Sequence, residues 1–259
     1  MTPRESGSEP ASPVSTSPPA HNATTTELNR SLPLIDRFAR VHRSIRISVT
    51  DRCNIRCQYC MPAGDIQFLN EQRLLDFESI TQFVSAVSEA GIRKVRITGG
   101  EPLMRPRLEE LIAKLNAIPT IEDIALTTNG MLLADKAEAL RDAGLKRINI
   151  SLDTLRDETF RRLSRRDGLD KVLAGIAAAT ERTHWEVRLN ALVMRDINLD
   201  EVYELVEFAG ERGLTMRFIE FMPLDADRAW TTEQMVSGAE LRERLQSRFG
   251  IDLDRLYSS

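Results

Sequence analysis

No stretch of this 259-residue chain approaches the roughly 18 consecutive apolar residues of a membrane-spanning helix. A hydrophobic signal core is missing near its start, so no export signal is expected. Excess positive charge is missing too: 35 Lys and Arg against 39 Asp and Glu leave a net charge of −4, which speaks against nucleic acid as a partner. Histidine is scarce, with only His21, His42 and His184. Cysteine is absent outside one eight-residue window, which holds Cys53, Cys57 and Cys60. An odd count without an export signal argues against a disulfide framework and for reduced thiols in the cytoplasm.

What is present suits a soluble α/β protein. Hydrophobic residues make up 42% of the chain, enough for a sizeable core, and 29% are charged. Residues 1–31 are rich in Pro, Ser and Thr and poor in apolar side chains; such a segment cannot bury enough surface to offset its ordering entropy and is expected to be disordered. Residues 32–250 form the expected core. There, β-rich runs alternate with amphipathic helical patterns. Strands are predicted at 44–49, 94–98, 124–128, 147–152, 186–193 and 216–221. Helices are predicted at 77–90, 107–116, 133–143, 169–182, 200–212 and 239–249. Gly91, Gly144 and Gly213 follow helical runs, where a left-handed cap is expected. This rhythm predicts right-handed βαβ units and a parallel sheet, either doubly wound or a partly closed (β/α)6 barrel.

The strand faces bear on that choice. Ile45, Ile47 and Val49 share one face of the first strand, with Arg46 and Ser48 on the other. Val95 and Ile97 oppose Lys94, Arg96 and Thr98 in the second. The fourth and fifth strands repeat the division, with Arg147, Asn149 and Ser151, then Arg188 and Asn190, on their polar faces. Parallel strands covered on both sides usually read as continuous apolar runs; these do not. If helices cover the apolar faces, the polar faces converge on a lumen holding several guanidinium groups. Guanidinium binds phosphate oxygens bidentately, so the lumen suits a polyanion.

The three cysteines follow the first strand directly, spaced C-x3-C-x2-C. A [4Fe–4S] cluster normally takes four thiolates; three would leave one iron open to a small molecule. Structural zinc needs four N or S ligands, and no histidine lies at finger-like spacing. Inert buried thiols seldom come three in eight residues. Spacing therefore favours an iron–sulfur site over these two alternatives. At the neighbouring strand ends stand Gly99-Gly100-Glu101-Pro102, where two glycines allow close backbone approach to a ligand and Glu101 is expected at the rim. Thr127-Thr128-Asn129-Gly130 and Ser151-Leu152-Asp153 bring small polar groups to the same rim. Taken alone, Gly-Gly-Glu-Pro also fits a plain turn before a helix, and Met222, past the last strand, also fits a core filler.

The cysteine loop with Tyr59 before its last cysteine, together with Gly99-Gly100-Glu101-Pro102, resembles the radical S-adenosylmethionine enzymes. Longer strings, Ser48–Asn54, Arg96–Arg105, Thr127–Gly130, Asn149–Asp153 and Arg217–Met222, resemble the GTP 3′,8-cyclase family of molybdenum cofactor biosynthesis. The resemblance spans roughly residues 37–250. It implies a partial (β/α)6 barrel with Cys53, Cys57 and Cys60 on a [4Fe–4S] cluster. It also implies S-adenosylmethionine, cleaved to a 5′-deoxyadenosyl radical that takes hydrogen from C3′ of GTP before ring closure onto C8. Tyr59, Gly100, Ser151 and Met222 match the family's S-adenosylmethionine contacts. Arg46, Arg96, Thr127 and Arg188 match its GTP contacts, with Lys94 and Arg217 as further phosphate candidates. A reductant or electron-transfer protein is implied, with no nucleic acid and no membrane, and with room for a homodimer. The family adds a C-terminal segment whose three cysteines hold a second [4Fe–4S] cluster; here residues 251–259 are expected to be its truncated start, and no cysteine follows Cys60. The alternative is a truncated, non-catalytic or altered-substrate iron–sulfur protein of the same superfamily.

Overall fold

The computed structural model describes residues 33–64, 66–223 and 230–250. The expected disorder of residues 1–31 and the expected segment at 251–259 lie outside the described residues. Six strands, β1 (Ser44–Ser48), β2 (Lys94–Thr98), β3 (Asp123–Thr128), β4 (Arg147–Ser151), β5 (Glu186–Val193) and β6 (Thr215–Glu220), form one sheet in chain order. Each adjacent pair is parallel. No pairing joins β1 to β6 among the described residues, so the barrel is partial, with one open seam. Among the described residues, no helix is long and apolar enough to cross a membrane.

The crossovers carry α1 (Phe77–Glu89), α2 (Leu108–Asn116), α3 (Ala137–Asp142), α4 (Asp157–Ser164), α5 (Leu169–Glu181) and α6 (Val202–Glu211), and α7 (Gly238–Phe249) follows β6. Asp76 caps α1 by accepting from the Ser79 amide at 2.7 Å, satisfying one of the donors that every helix start leaves open. Gly91, Gly144 and Gly213 have φ of 99°, 100° and 64°, as expected of helix-ending glycines. Outward-facing strand residues meet the inner stripes of the helices. Val95, Ile97, Ile148, Ile150 and Leu189 pack with Val84, Leu111, Leu115, Val172 and Ile176 in one core. That leaves the alternate strand residues facing the lumen.

α4 escapes the periodicity reading. Its eight residues, DETFRRLS, bury only Leu163 and Ser164, and half of them are charged, so the segment is short and mostly polar and reads as a loop. α3 begins four residues later than expected; the preceding residues 131–136 form turns.

Two backbones meet closely where α5 crosses the tip of β3. A Cβ added at Gly175 would lie 2.4 Å from the carbonyl oxygen of Gly130. Ala is normally the better helix residue by about 0.5–1 kcal/mol, but overpacking costs about 1–3 kcal/mol. Gly175→Ala is therefore expected to lower the urea midpoint of unfolding despite the gain in helix propensity; a raised midpoint would show that α5 can back away freely.

Candidate active site

β1 delivers the chain to the cysteine loop, and β2 holds that loop in place. The amides of Gly100 and Glu101 donate to the carbonyls of Thr50 and Arg52, both at 2.7 Å. The glycines serve this contact: a Cβ at Gly100 would lie 2.4 Å from the Arg52 oxygen, and one at Gly99 would lie 2.5 Å from that of Thr50. Both glycines also line the cavity above. Glu101 departs from expectation. It is 1% exposed and absent from the cavity wall. Its carboxylate instead accepts from Leu103 N at 3.0 Å, Thr128 Oγ1 at 2.7 Å and Asn129 N at 2.7 Å. Four bonds could satisfy a buried carboxylate, and three suffice to tie the tip of β2 to that of β3. Burial pushes Glu101 above the ordinary carboxylate range, while those donors pull it back.

A cavity of about 400 Å³ opens over the strand tips, within the roughly 300–1,000 Å³ of small-molecule sites. Cys53, Cys57 and Cys60 all line it as free thiols, with Tyr59, Gly100, Thr127 and Ser151. Ile55, Phe160 and Leu163 add an apolar wall. The amides of Cys60 and Met61 both donate to the Cys57 carbonyl at 2.9 Å, closing a tight turn. Arg56 N and Gln58 N donate to Ser164 O and Leu163 O at 2.8 and 3.0 Å, pinning the loop to the end of α4. Asn129 Nδ2 donates to Asn54 Oδ1 at 2.7 Å and lies 3.9 Å from Cys53 Sγ. Burial, with the nearby Asp153 charge adding to it, pushes the Cys57 thiol up to about 12; Cys53 and Cys60 are raised by the same desolvation.

Among the described residues, no three His, Cys, Asp or Glu side chains converge closely enough for one metal ion. The three cysteines line a common cavity, and a [4Fe–4S] cluster takes thiolates one to each iron. Deprotonating such raised thiols needs the metal itself, so iron uptake would release protons. The donor set thus fits a [4Fe–4S] cluster with one open iron.

A second cavity of about 300 Å³ lies in the N-terminal half of the strands, lined by Arg46, Lys94, Arg96 and Arg147. Arg46 pairs in register with Arg96, and Arg188 lies one step higher beside Asn149. Arg147 is neutralised by Asp123, with Nε to Oδ1 at 2.9 Å, and Arg188 by Glu186. Desolvation first, then the guanidinium charges of Arg46, Arg147, Arg217 and Arg188, push Arg96 below the ordinary arginine range. These charges do converge, as the strand faces predicted. Ser48 and Thr98 of the upper cavity sit two residues beyond Arg46 and Arg96, roughly 7 Å along the strands. Thr127 is on the upper wall. Met222 is neither there nor in the core: it is 50% exposed past the end of β6.

The sequence reading missed Asn129 as a neighbour of Cys53, although it stands in the polar string ending β3. It also missed Asp153 as the acceptor of the Tyr59 hydroxyl, at 2.6 Å, since nothing local in sequence links residues 94 positions apart. Gly100→Ala should lodge its methyl against Arg52 and displace the cysteine loop. Lower iron content after anaerobic reconstitution, with a lower thermal midpoint, is the expected outcome; full iron content would show that the loop tolerates the shift.

The Radical SAM superfamily profile matches residues 47–209. A relative from Rhodopirellula baltica named GTP 3′,8-cyclase is 49% identical over 226 residues, covering 87% of this chain and 63% of its own. One of the same name from Xanthomonas axonopodis pv. citri is 46% identical over 232 residues, covering 87% of this chain and 69% of its own. The chain thus spans a little over three fifths of the first of these relatives. A crystal structure of methylornithine synthase superposes with a TM-score of 0.62 at 17% identity, covering 78% of this chain and 61% of that one; at that identity the likeness concerns the fold. A cysteine triad over a partial parallel barrel, and a profile match across most of that barrel, lead to one assignment: the chain belongs to the radical SAM superfamily, whose members use a [4Fe–4S] cluster and S-adenosylmethionine.

Proposed function

We propose that this chain carries the catalytic barrel of a radical S-adenosylmethionine GTP 3′,8-cyclase, acting in the first step of molybdenum cofactor biosynthesis. The observation that carries the reading is the stack of two cavities on shared strands, thiols above and uncompensated guanidinium groups below. The names of the relatives at 46–49% identity support it. Cys53, Cys57 and Cys60 would hold the cluster; when bound, it supplies the electron that cleaves S-adenosylmethionine to the radical abstracting hydrogen from the ribose. Tyr59, Gly100 and Ser151 line the space for that cofactor, and Met222 would have to turn inward from its exposed position to join them.

Arg46 and Arg96, helped by Lys94, would take the triphosphate. Among the described residues no acidic partner is recorded for Arg46 or Arg96, so their charge is available to an anion. Phosphate oxygens offer bidentate acceptors that relieve the repulsion pressing on Arg96. Thr127, between the two layers, would face the nucleoside, and Arg188 would extend the phosphate site once released from Glu186. Ile55, Phe160 and Leu163 give the upper cavity an apolar wall, which would limit water around the reacting groups. Free thiols fit a reducing cytoplasm, and each cleavage calls for a reductant. No nucleic acid or membrane is invoked, and a homodimer is compatible with the reading. The 259 residues contain no thiol beyond the triad, so the second cluster implied by the resemblance finds no ligands among them.

The test is anaerobic reconstitution with iron and sulfide, then reductant, S-adenosylmethionine and GTP, with 5′-deoxyadenosine and cyclised nucleotide assayed together. Cyclised product supports the proposal. Deoxyadenosine alone would mean that GTP is not turned over by these residues, and neither product, despite four irons per chain, would favour the non-catalytic alternative. Arg96→Ala should keep the cluster and weaken GTP binding about 10- to 100-fold, as expected for losing about 1.5–3 kcal/mol of charged hydrogen bonding. Unchanged GTP affinity by calorimetry would sink the lumen assignment.

A further inference from the structure

We propose that Asp153 is a positioning residue: through the Tyr59 hydroxyl it braces the turn from Cys57 to Cys60, fixing how two of the three thiolates present themselves to the cavity. The turn is closed by the two amides on the Cys57 carbonyl and tied to the end of α4 by Gln58 N on the Leu163 carbonyl. Tyr59 sits at its centre, with a ring packed against Leu163, Met194 and Phe221. Its hydroxyl donates to Asp153 Oδ2 at 2.6 Å. Tyr59 thus ties the chain between Cys57 and Cys60 to a carboxylate on the cavity wall.

Asp153 is itself held from behind. Its Oδ1 accepts from Leu192 N at 2.8 Å, and its carbonyl accepts from Asn198 Nδ2 at 2.8 Å. Fully buried Asn198 binds the Leu192 carbonyl with the same nitrogen at 2.8 Å and takes the Met194 amide on its Oδ1 at 2.8 Å. The carboxylate is thus bolted to β5, and the strain-free position of the Tyr59 hydroxyl is set by the sheet. Asp153 is half-buried on the cavity wall; withdrawing a carboxylate from water is unfavourable unless its oxygens are satisfied, and here both oxygens have partners. Outer-shell partners of this kind orient metal ligands, and removing them typically costs 10- to 100-fold in metal affinity.

The inference rests on the reading that Cys57 and Cys60 ligate iron. Tyr59→Phe keeps the ring and Asp153→Asn keeps the volume, so both variants should fold. In the full chain, reconstituted anaerobically, each is expected to lose iron to a chelator on the order of 10-fold faster than the parent. Each should also alter the line shape of the electron paramagnetic resonance spectrum after dithionite reduction. Because both act on one shared hydrogen bond, which Tyr59→Phe removes and Asp153→Asn strips of its charge, the double variant should lose iron no faster than the worse single. The thermal midpoint of the iron-free Tyr59→Phe chain should stay near that of the parent. Unchanged release and spectrum in Tyr59→Phe, or effects that add in the double variant, would overturn the inference. A parent that takes up no iron would instead overturn the ligand reading, and this inference with it.

Discussion

Glu101 receives three hydrogen bonds in the interior, from Leu103, Thr128 and Asn129, and much of the cavity hangs on that carboxylate. It joins the tip of β2 to the tip of β3. The same turn of chain presses Gly99 and Gly100 onto the backbone of Thr50 and Arg52, which seats the cysteine loop, while Asn129 carries the connection forward to Asn54 and Cys53. Three strand tips are therefore locked by contacts that involve neither iron nor ligand. A site assembled in this way is preorganised: the ordering cost falls on folding and not on each binding event.

The lower layer obeys a different economy. The guanidinium charges of Arg46, Arg147, Arg217 and Arg188 all press on Arg96, while Arg147 and Arg188 have acidic neighbours within the strands, Asp123 and Glu186. Arg46 is exposed and Arg96 half-buried, so water and its ions screen part of the repulsion. An anion that enters displaces that water and meets charges already in place, which favours rapid, electrostatically guided capture.

Much of this was legible in the sequence because it is governed by short-range rules. The two-residue alternation of β1, β2, β4 and β5 placed Arg46, Arg96, Arg147 and Arg188 on one face, and the cysteine spacing marked the loop. Glu101 was misread because its local string gives no hint of burial; its partners arrive from β3, 27 and 28 residues away. The bond between Tyr59 and Asp153 is equally non-local. α4 was overlooked because charged residues dominate its eight positions, and the helix is held by tertiary contacts at its C-terminal end more than by an apolar stripe.

Because both cavities are built on the same strands, their separation comes in discrete steps. Side chains return to the lumen only every second residue, so the upper level of Ser48 and Thr98 and the guanidinium level of Arg46 and Arg96 can be two residues apart on β1 and β2, or four, but never three. An insertion or deletion of one residue within β2 would turn Arg96 outward and Ile97 inward together, emptying the anion layer and polarising the core in a single event. Evolution can retune either level by substitution, but it cannot slide one past the other by small changes in length. Drift in length is thereby confined to the loops and helices of the outer ring.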